Sequence, residues 1–282
     1  MKRIIVFILF FLSFNSLLFA EDDFSRLKGT HFIVYYYPQH LSFAQEVLSC
    51  AEKYYIDIAR DLGYERYSKF WLWDKRVRIY IYPSHQSYLK ASNMPNWSHG
   101  MADYTKKIIM GYFRGKGFLD SILPHEITHL MFRDFVGFTS FIPLWLDEGI
   151  AQWEEKSKRD AIEDIINDTF RKKTLLSLRD MMKMDIRNIK STDKIYVRYT
   201  NDNGIPLVLI MTGKNLINLY YLEAVSLVGF LIEKYGNKRF TDFCRQLRDG
   251  KSIEEALRTS YANYFNTIED LEREWKKYYR KD

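Results

Sequence analysis

The 282-residue sequence predicts an α+β protein: a small mixed sheet with a packed helix, followed by a mainly helical remainder. Three observations predict it. Short β-branched and aromatic runs with the two-residue period of strands fill the chain up to about residue 112. Beyond Phe118 the apolar residues recur at three and four positions, the period of helices. A hydrophobic content of 47%, with 17% aromatics and 28% charge, suffices for a sizeable core and argues against a disordered chain.

The first twenty residues stand outside that fold. Lys2 and Arg3 precede an apolar run from Ile4 to Leu12, which continues through Leu17 and Leu18 to Ala20. A basic head, an apolar stretch and a small residue before Glu21 read as a secretory signal peptide over residues 1–20. Export to the periplasm or the extracellular space is the expectation. Leu18 stands where cleavage prefers a small residue, so retention as an N-terminal membrane anchor is the alternative. Without Lys2 and Arg3, 40 of the 42 basic residues remain against 36 acidic ones. That balance is too mild and too scattered to point to nucleic acid. Cys50 and Cys244 lack any ligand-like neighbour and read as either a disulfide or two buried thiols.

His31 to Tyr37, HFIVYYY, predicts a strand ended by Pro38. Ser42 to Leu62 predicts an amphipathic helix through Ala44, Val47, Leu48, Ala51, Tyr55 and Ile58, stopped at Gly63. Arg76 to Pro83 alternates Val77, Ile79 and Ile81 with polar neighbours, a second strand. Ser98 to Tyr112, punctuated by Gly100 and Gly111, holds one or two more. In the helical part, Asp120 or Ser121 is expected to cap SILPHEITH, placing Pro124 in the first turn. After a loop over Arg133 to Ile142, Pro143 is expected to open PLWLDEGIAQWEE as its first helical residue. Lys156 to Thr200 shows no clear period, and Gly204 to Met211 reads as a strand or a buried helix. Helices follow over Asn218 to Tyr235, near Lys238 to Arg248, after a Ser252/Glu255 capping box, and from Asn266.

Two of only six histidines, His125 and His129, lie one helical turn apart in HEITH. At i and i+4 both imidazoles project from one face, close enough to hold one metal ion. Glu126 lies roughly 100° round the helix, beside such an ion without competing for it. A catalytic zinc site needs a third protein ligand and an open position. Glu148 in WLDEGIAQW is the candidate, with Asp147 the competing carboxylate. Asp147 and Gln152 are also in reach as hydrogen-bond acceptors behind the imidazoles.

HEITH and WLDEGIA, with eighteen residues between His129 and Glu148, resemble the paired motifs of gluzincin zinc metallopeptidases. The likeness extends to the peptidase MA-like domain of bacterial proteins, through IYIYPSHQSY, HGMADY, FIPLWLDEGIAQW, YYLEAVSLVGFLIEKYG and the EEAL…LEREW pattern. It spans most of Glu21 to Trp275. The resemblance implies a zincin fold over residues 21–282, with an α+β lobe (21–117) and a helical lobe (118–282) flanking the active site. It implies one Zn²⁺ on His125, His129 and Glu148, and Glu126 as the base that takes a proton from the attacking water. It also implies Tyr221 as an oxyanion donor, since Gly236 follows fifteen residues later as in the family. Tyr221 shares a stripe with Val225, Val228 and Ile232, so core packing is its competing role, and Tyr220 is the neighbouring alternative.

The expected partner is a peptide or protein substrate. Aminopeptidases of this branch carry a Gly-x-Met-Glu-Asn strand whose glutamate binds the substrate amine. Here Gly100-Met101-Ala102-Asp103 lacks that glutamate, so aminopeptidase specificity is not implied. An edge strand there would still pair with an extended peptide. The rival reading is a non-catalytic peptide- or envelope-binding module that keeps the fold. Glu126 weighs against it, because a purely structural site needs no base.

Overall fold

A computed structural model describes residues 24–64, 71–138, 141–156, 176–200 and 205–279, together with 159, 165, 166 and 169. The expected leader at 1–20 lies outside the described residues.

The sheet contains β1 (Ser25–Lys28), β2 (Phe32–Tyr36), β3 (Val77–Tyr82), β4 (Gly100–Asp103) and β5 (Ile108–Tyr112), in the order β1-β2-β3-β5-β4. The pairs β2–β3 and β3–β5 are parallel, while β1–β2 and β4–β5 are antiparallel. The sheet is therefore mixed, as the sequence predicts, with β4 as an outer strand. One face is covered by α1 (Leu41–Asp61), which buries Phe43, Ala44, Val47, Ala51 and Ile58. The other carries a smaller cluster of Tyr80, Tyr82, Tyr88, Ile108 and Met110 beneath α2 (His85–Ser92). Burial on both faces explains why β3, VRIYIY, is apolar at nearly every position.

The helical part begins with α3 (Leu123–Val136) and α4 (Leu144–Trp153), followed by a short α5 (Leu178–Met181). A two-stranded hairpin, β6 (Lys194–Thr200) and β7 (Pro206–Thr212), precedes α6 (Gly213–Tyr235). Then come α7 (Asn237–Arg248), α8 (Ile253–Ser260) and α9 (Ile268–Tyr279). The α6 helix is long and apolar enough to cross a bilayer, but it is the core helix of this fold. It buries residues on several sides, from Leu216 and Tyr220 to Leu231 and Ile232.

Two local expectations need correction, and two left open are resolved. Neither Asp120 nor Ser121 caps α3: a π-turn over Phe118–Ile122 runs into it, with Ile122 already helical. That wider turn relaxes the ladder where Pro124 offers no N–H. Pro143 is the residue before α4 and remains extended (ψ 147), so Leu144 is the first helical position. The stretch ending at Met211 is a strand, and its partner β6 lies in a segment without readable period. Cys50 and Cys244 are free thiols, not a disulfide. The capping box does form, with Ser252 and Glu255 each accepting from the other's backbone N–H.

Candidate metal centre

Helix α3 supplies two imidazoles and α4 supplies a carboxylate. The ring nitrogens His125 Nε2 and His129 Nε2 face each other at 3.1 Å. Glu148 Oε2 lies 3.7 Å from the first and 3.8 Å from the second. These three donor atoms lie within 4.8 Å of one another, the one such His/Cys/Asp/Glu group among the described residues. The sequence-predicted ligand set thus converges on one point. Glu148 reaches it because α4 packs closely on α6: a Cβ at Gly149 would stand 2.5 Å from the Ala224 carbonyl oxygen.

The outer nitrogens are committed elsewhere. His125 Nδ1 meets Glu155 Oε1 at 3.0 Å, and Ser121 donates its hydroxyl to the other oxygen of Glu155. His129 Nδ1 meets Asp147 Oδ1 at 3.2 Å, while Arg133 Nη2 donates to Asp147 Oδ2 at 2.8 Å. Tyr104 closes this second group. Its ring stands edge-on to His129, with centroids 6.2 Å apart, and the Arg133 guanidinium lies over its face at 5.8 Å. Each Nδ1 faces a carboxylate and so carries a hydrogen, and in the neutral rings each Nε2 presents its lone pair to the same space. Two lone pairs at 3.1 Å repel unless a cation or proton lies between them. The donor set fits a divalent metal.

The charges agree with this geometry. Burial pulls the His129 imidazole down, but the Asp147 carboxylate outweighs it and the group is pushed up to about 9. Asp147 is itself drawn down to about 2 by His129 and Arg133, against its burial. Burial raises Glu126 above the ordinary carboxylate range, against the pull of His125 and His129. Glu126 projects beside the cluster toward β4, where a Cβ at Gly100 would stand 3.4 Å from its Oε1. The outer strand of the sheet thus passes beside Glu126.

The two tyrosines separate cleanly. Tyr220 is fully buried and donates its hydroxyl to the Met181 carbonyl at 3.3 Å. Tyr221 is partly buried, and its hydroxyl is raised by burial and by the nearby Glu148 and Glu126 carboxylates, with Arg187 acting against them.

Glu155, Arg133 and Tyr104 were not among the expected site residues, and Gln152 is not the acceptor behind either imidazole. Only Arg133 leaves a signal: it lies four residues after His129, one turn along the same face of α3.

No family model matches the chain, and no curated protein does. Solved structures do. Native leukotriene A4 hydrolase from Saccharomyces cerevisiae is 17% identical with a TM-score of 0.46, covering 92% of this chain and 39% of that one. Yeast leukotriene A4 hydrolase in complex with bestatin is 16% identical with a TM-score of 0.45, covering 88% and 38%. The chain spans under two-fifths of the length of these structures.

Proposed function

We propose that this chain is an exported zinc-dependent metallopeptidase with a gluzincin-type zincin fold, hydrolysing peptide bonds. The observation that carries the reading is the pairing of a three-donor cluster with an unligated glutamate, Glu126, beside it. A structural zinc is normally closed by four protein ligands. Here three donors converge, which would leave a fourth position for water or substrate.

His125, His129 and Glu148 would hold the zinc. When bound, zinc supplies Lewis acidity: it polarises a carbonyl and brings the pKa of water from 15.7 to about 7. The rest falls to the chain. Glu126, its basicity raised by burial, takes a proton from the attacking water and returns it to the leaving amine. Tyr221 donates its hydroxyl to the developing oxyanion, a role suited to a phenol that stays protonated. Glu155 and Asp147 fix the tautomers and orientations of the two imidazoles. An extended substrate pairs with the edge of β4 beside Glu126. The basic and apolar N-terminal segment delivers the chain across a membrane, or tethers it there if uncleaved.

The test is elemental analysis together with turnover of an unspecific substrate such as casein. One zinc per chain is expected, lost in His129→Ala. Glu126→Gln should keep its zinc and its fold while losing about 10²–10⁴-fold in hydrolysis, the contribution of general-base catalysis. Zinc without cleavage of casein or a peptide library by either protein would favour the binding-module reading. Unchanged zinc in His129→Ala would sink the metal site.

A further inference from the structure

A cavity of ≈ 680 Å³ opens beside the metal cleft, between the start of α6 and the segment leading into β6. Tyr221 belongs to both spaces: it lines the cavity, and its hydroxyl feels the carboxylates of Glu148 and Glu126. Ile186, Ile189 and Ile217 form apolar walls, and Trp97, 70% exposed, stands at the rim. Every charged side chain in the lining is a cation: Arg187, Lys190 and Lys214.

Arg187 is already matched. Asp185 takes its Nε at 2.8 Å and its Nη2 at 2.6 Å. Lys190 and Lys214 are the charges the cavity adds. The nearby Asp193 carboxylate accepts the backbone N–H of Lys190 at 2.8 Å. The two lysines are held together by backbone contacts across the base of the hairpin. Lys214 N–H donates to the Ser191 carbonyl at 3.0 Å, and Gly213 N–H to the Asp193 carbonyl at 2.7 Å. A Cβ at Gly213 would lie 2.0 Å from the Lys190 carbonyl oxygen, so only glycine allows the two segments to approach this closely. Both lysines are exposed and line the same cavity, so they give it a local positive charge that attracts an anion.

We propose that this cavity is a carboxylate-binding subsite of the peptide cleft. Lys190 and Lys214 receive an acidic side chain, or the terminal carboxylate, of a polypeptide lying past Tyr221, while Trp97 and the isoleucines pack its apolar part. This rests on the peptidase reading and names its substrate class: peptides carrying a carboxylate close to the scissile bond.

The test uses four pools of labelled seven-residue peptides with randomised neighbours, bearing Glu or Gln, each with a free or an amidated C-terminus. Turnover by the wild type is followed by mass spectrometry. Binding to zinc-loaded Glu126→Gln is followed by anisotropy. Pools bearing the recognised carboxylate, as Glu against Gln or as a free against an amidated terminus, should bind and be cleaved about five- to tenfold better than their neutral counterparts, as expected for two partly exposed ion pairs. The preference should shrink at about 0.5 M salt, where the Debye length falls to a few ångströms. A Glu-over-Gln preference among the amidated pools identifies the side chain as the carboxylate, and a free-over-amidated preference among the Gln pools identifies the terminus. Lys190→Glu with Lys214→Glu should turn the preference toward Lys-bearing peptides. Lys190→Met with Lys214→Met, which keep the aliphatic stems, should abolish it if the reversal disturbs the fold. Equal handling of all four pools by the wild type overturns the proposal, as does a preference that survives these substitutions. If acidic pools bind, lose binding on lysine replacement, yet are never cleaved, the subsite stands and the peptidase reading falls.

Discussion

Glu155 holds the outer nitrogen of His125 at 3.0 Å across 30 residues of sequence. Its second oxygen accepts from Ser121, on the π-turn that opens α3. One carboxylate therefore ties together the end of α4, the start of α3 and the orientation of a metal ligand. Glu155→Gln removes the charge that makes His125 a better donor and disturbs the tautomer. Zinc affinity should fall about 10–100-fold, the usual loss for such a partner, when measured by competition with a chromophoric chelator. An affinity within twofold of wild type would mean that Glu155 only supports the turn.

How much of this was legible in the sequence depends on the range of the interaction. HEITH and WLDEGIA carry their chemistry in local spacing, so the convergence of His125, His129 and Glu148 could be anticipated from a helix period and a pair of motifs. The longer helices and the strands β2 and β3 follow from periodicity for the same reason, whereas the short β1, α2 and α5 carry no such period. Ser121 was misread because a hydroxyl before a helix ordinarily caps it, whereas here a distant carboxylate claims it. Tyr104 meets His129, and Glu155 meets His125, only through tertiary packing, and neither stands out by type or spacing. The strand β6 has no readable period because its inward residues Ile195 and Val197 are only partly buried while apolar Tyr196, like Val208 and Ile210 of its partner, is exposed, so both faces are apolar.

The adjacent tyrosines give a clean contrast. Tyr221→Phe should lower kcat about 10²–10³-fold, the usual loss for an oxyanion donor, while leaving thermal stability nearly unchanged. Tyr220→Phe should do the reverse. It removes the buried hydroxyl that donates to the Met181 carbonyl, costing about 1 kcal/mol of stability with little effect on turnover. Equal kinetic losses in the two variants would show that both act by holding α6 in place. A larger loss in Tyr220→Phe would reverse the assignment.

Gly149 allows α4 to lie against the backbone of α6. An added Cβ would meet the Ala224 carbonyl oxygen at 2.5 Å and Val228 Cγ2 at 2.9 Å, contacts that only a shift of the helices relieves. Gly149→Ala should therefore destabilise the protein by about 1–3 kcal/mol despite alanine's better helix propensity. Because Glu148 is the preceding residue, zinc affinity should fall as well. Chemical denaturation and chelator competition measure the two effects separately. A more stable variant, as propensity alone would give, would show that the interface yields at no cost.

The last prediction concerns pH. In the metal-free protein His129 is pushed up to about 9, because the Asp147 attraction outweighs the burial that pulls it down. Its ordinary value is near 6.5, so at neutral pH the folded metal-free protein holds a proton there that the unfolded chain largely lacks. The sign follows. This proton contributes stability that is fully present below about 6.5 and lost as pH rises through about 9. A metal ion competes for the same ring, since His129 must be neutral to donate a lone pair. Zinc affinity should therefore climb with pH, by up to about tenfold per unit, and level off only near 9. At pH 7 zinc uptake should release at least one proton, measurable by titration calorimetry in buffers of different ionisation enthalpy. Asp147→Asn removes the attraction, so its affinity profile should level off nearer 6.5, with weaker binding at high pH from the lost orientation of His129. An affinity flat between pH 7 and 9 in the wild type would contradict the coupling of His129 to Asp147. A profile unchanged in Asp147→Asn would place the titrating proton on another group.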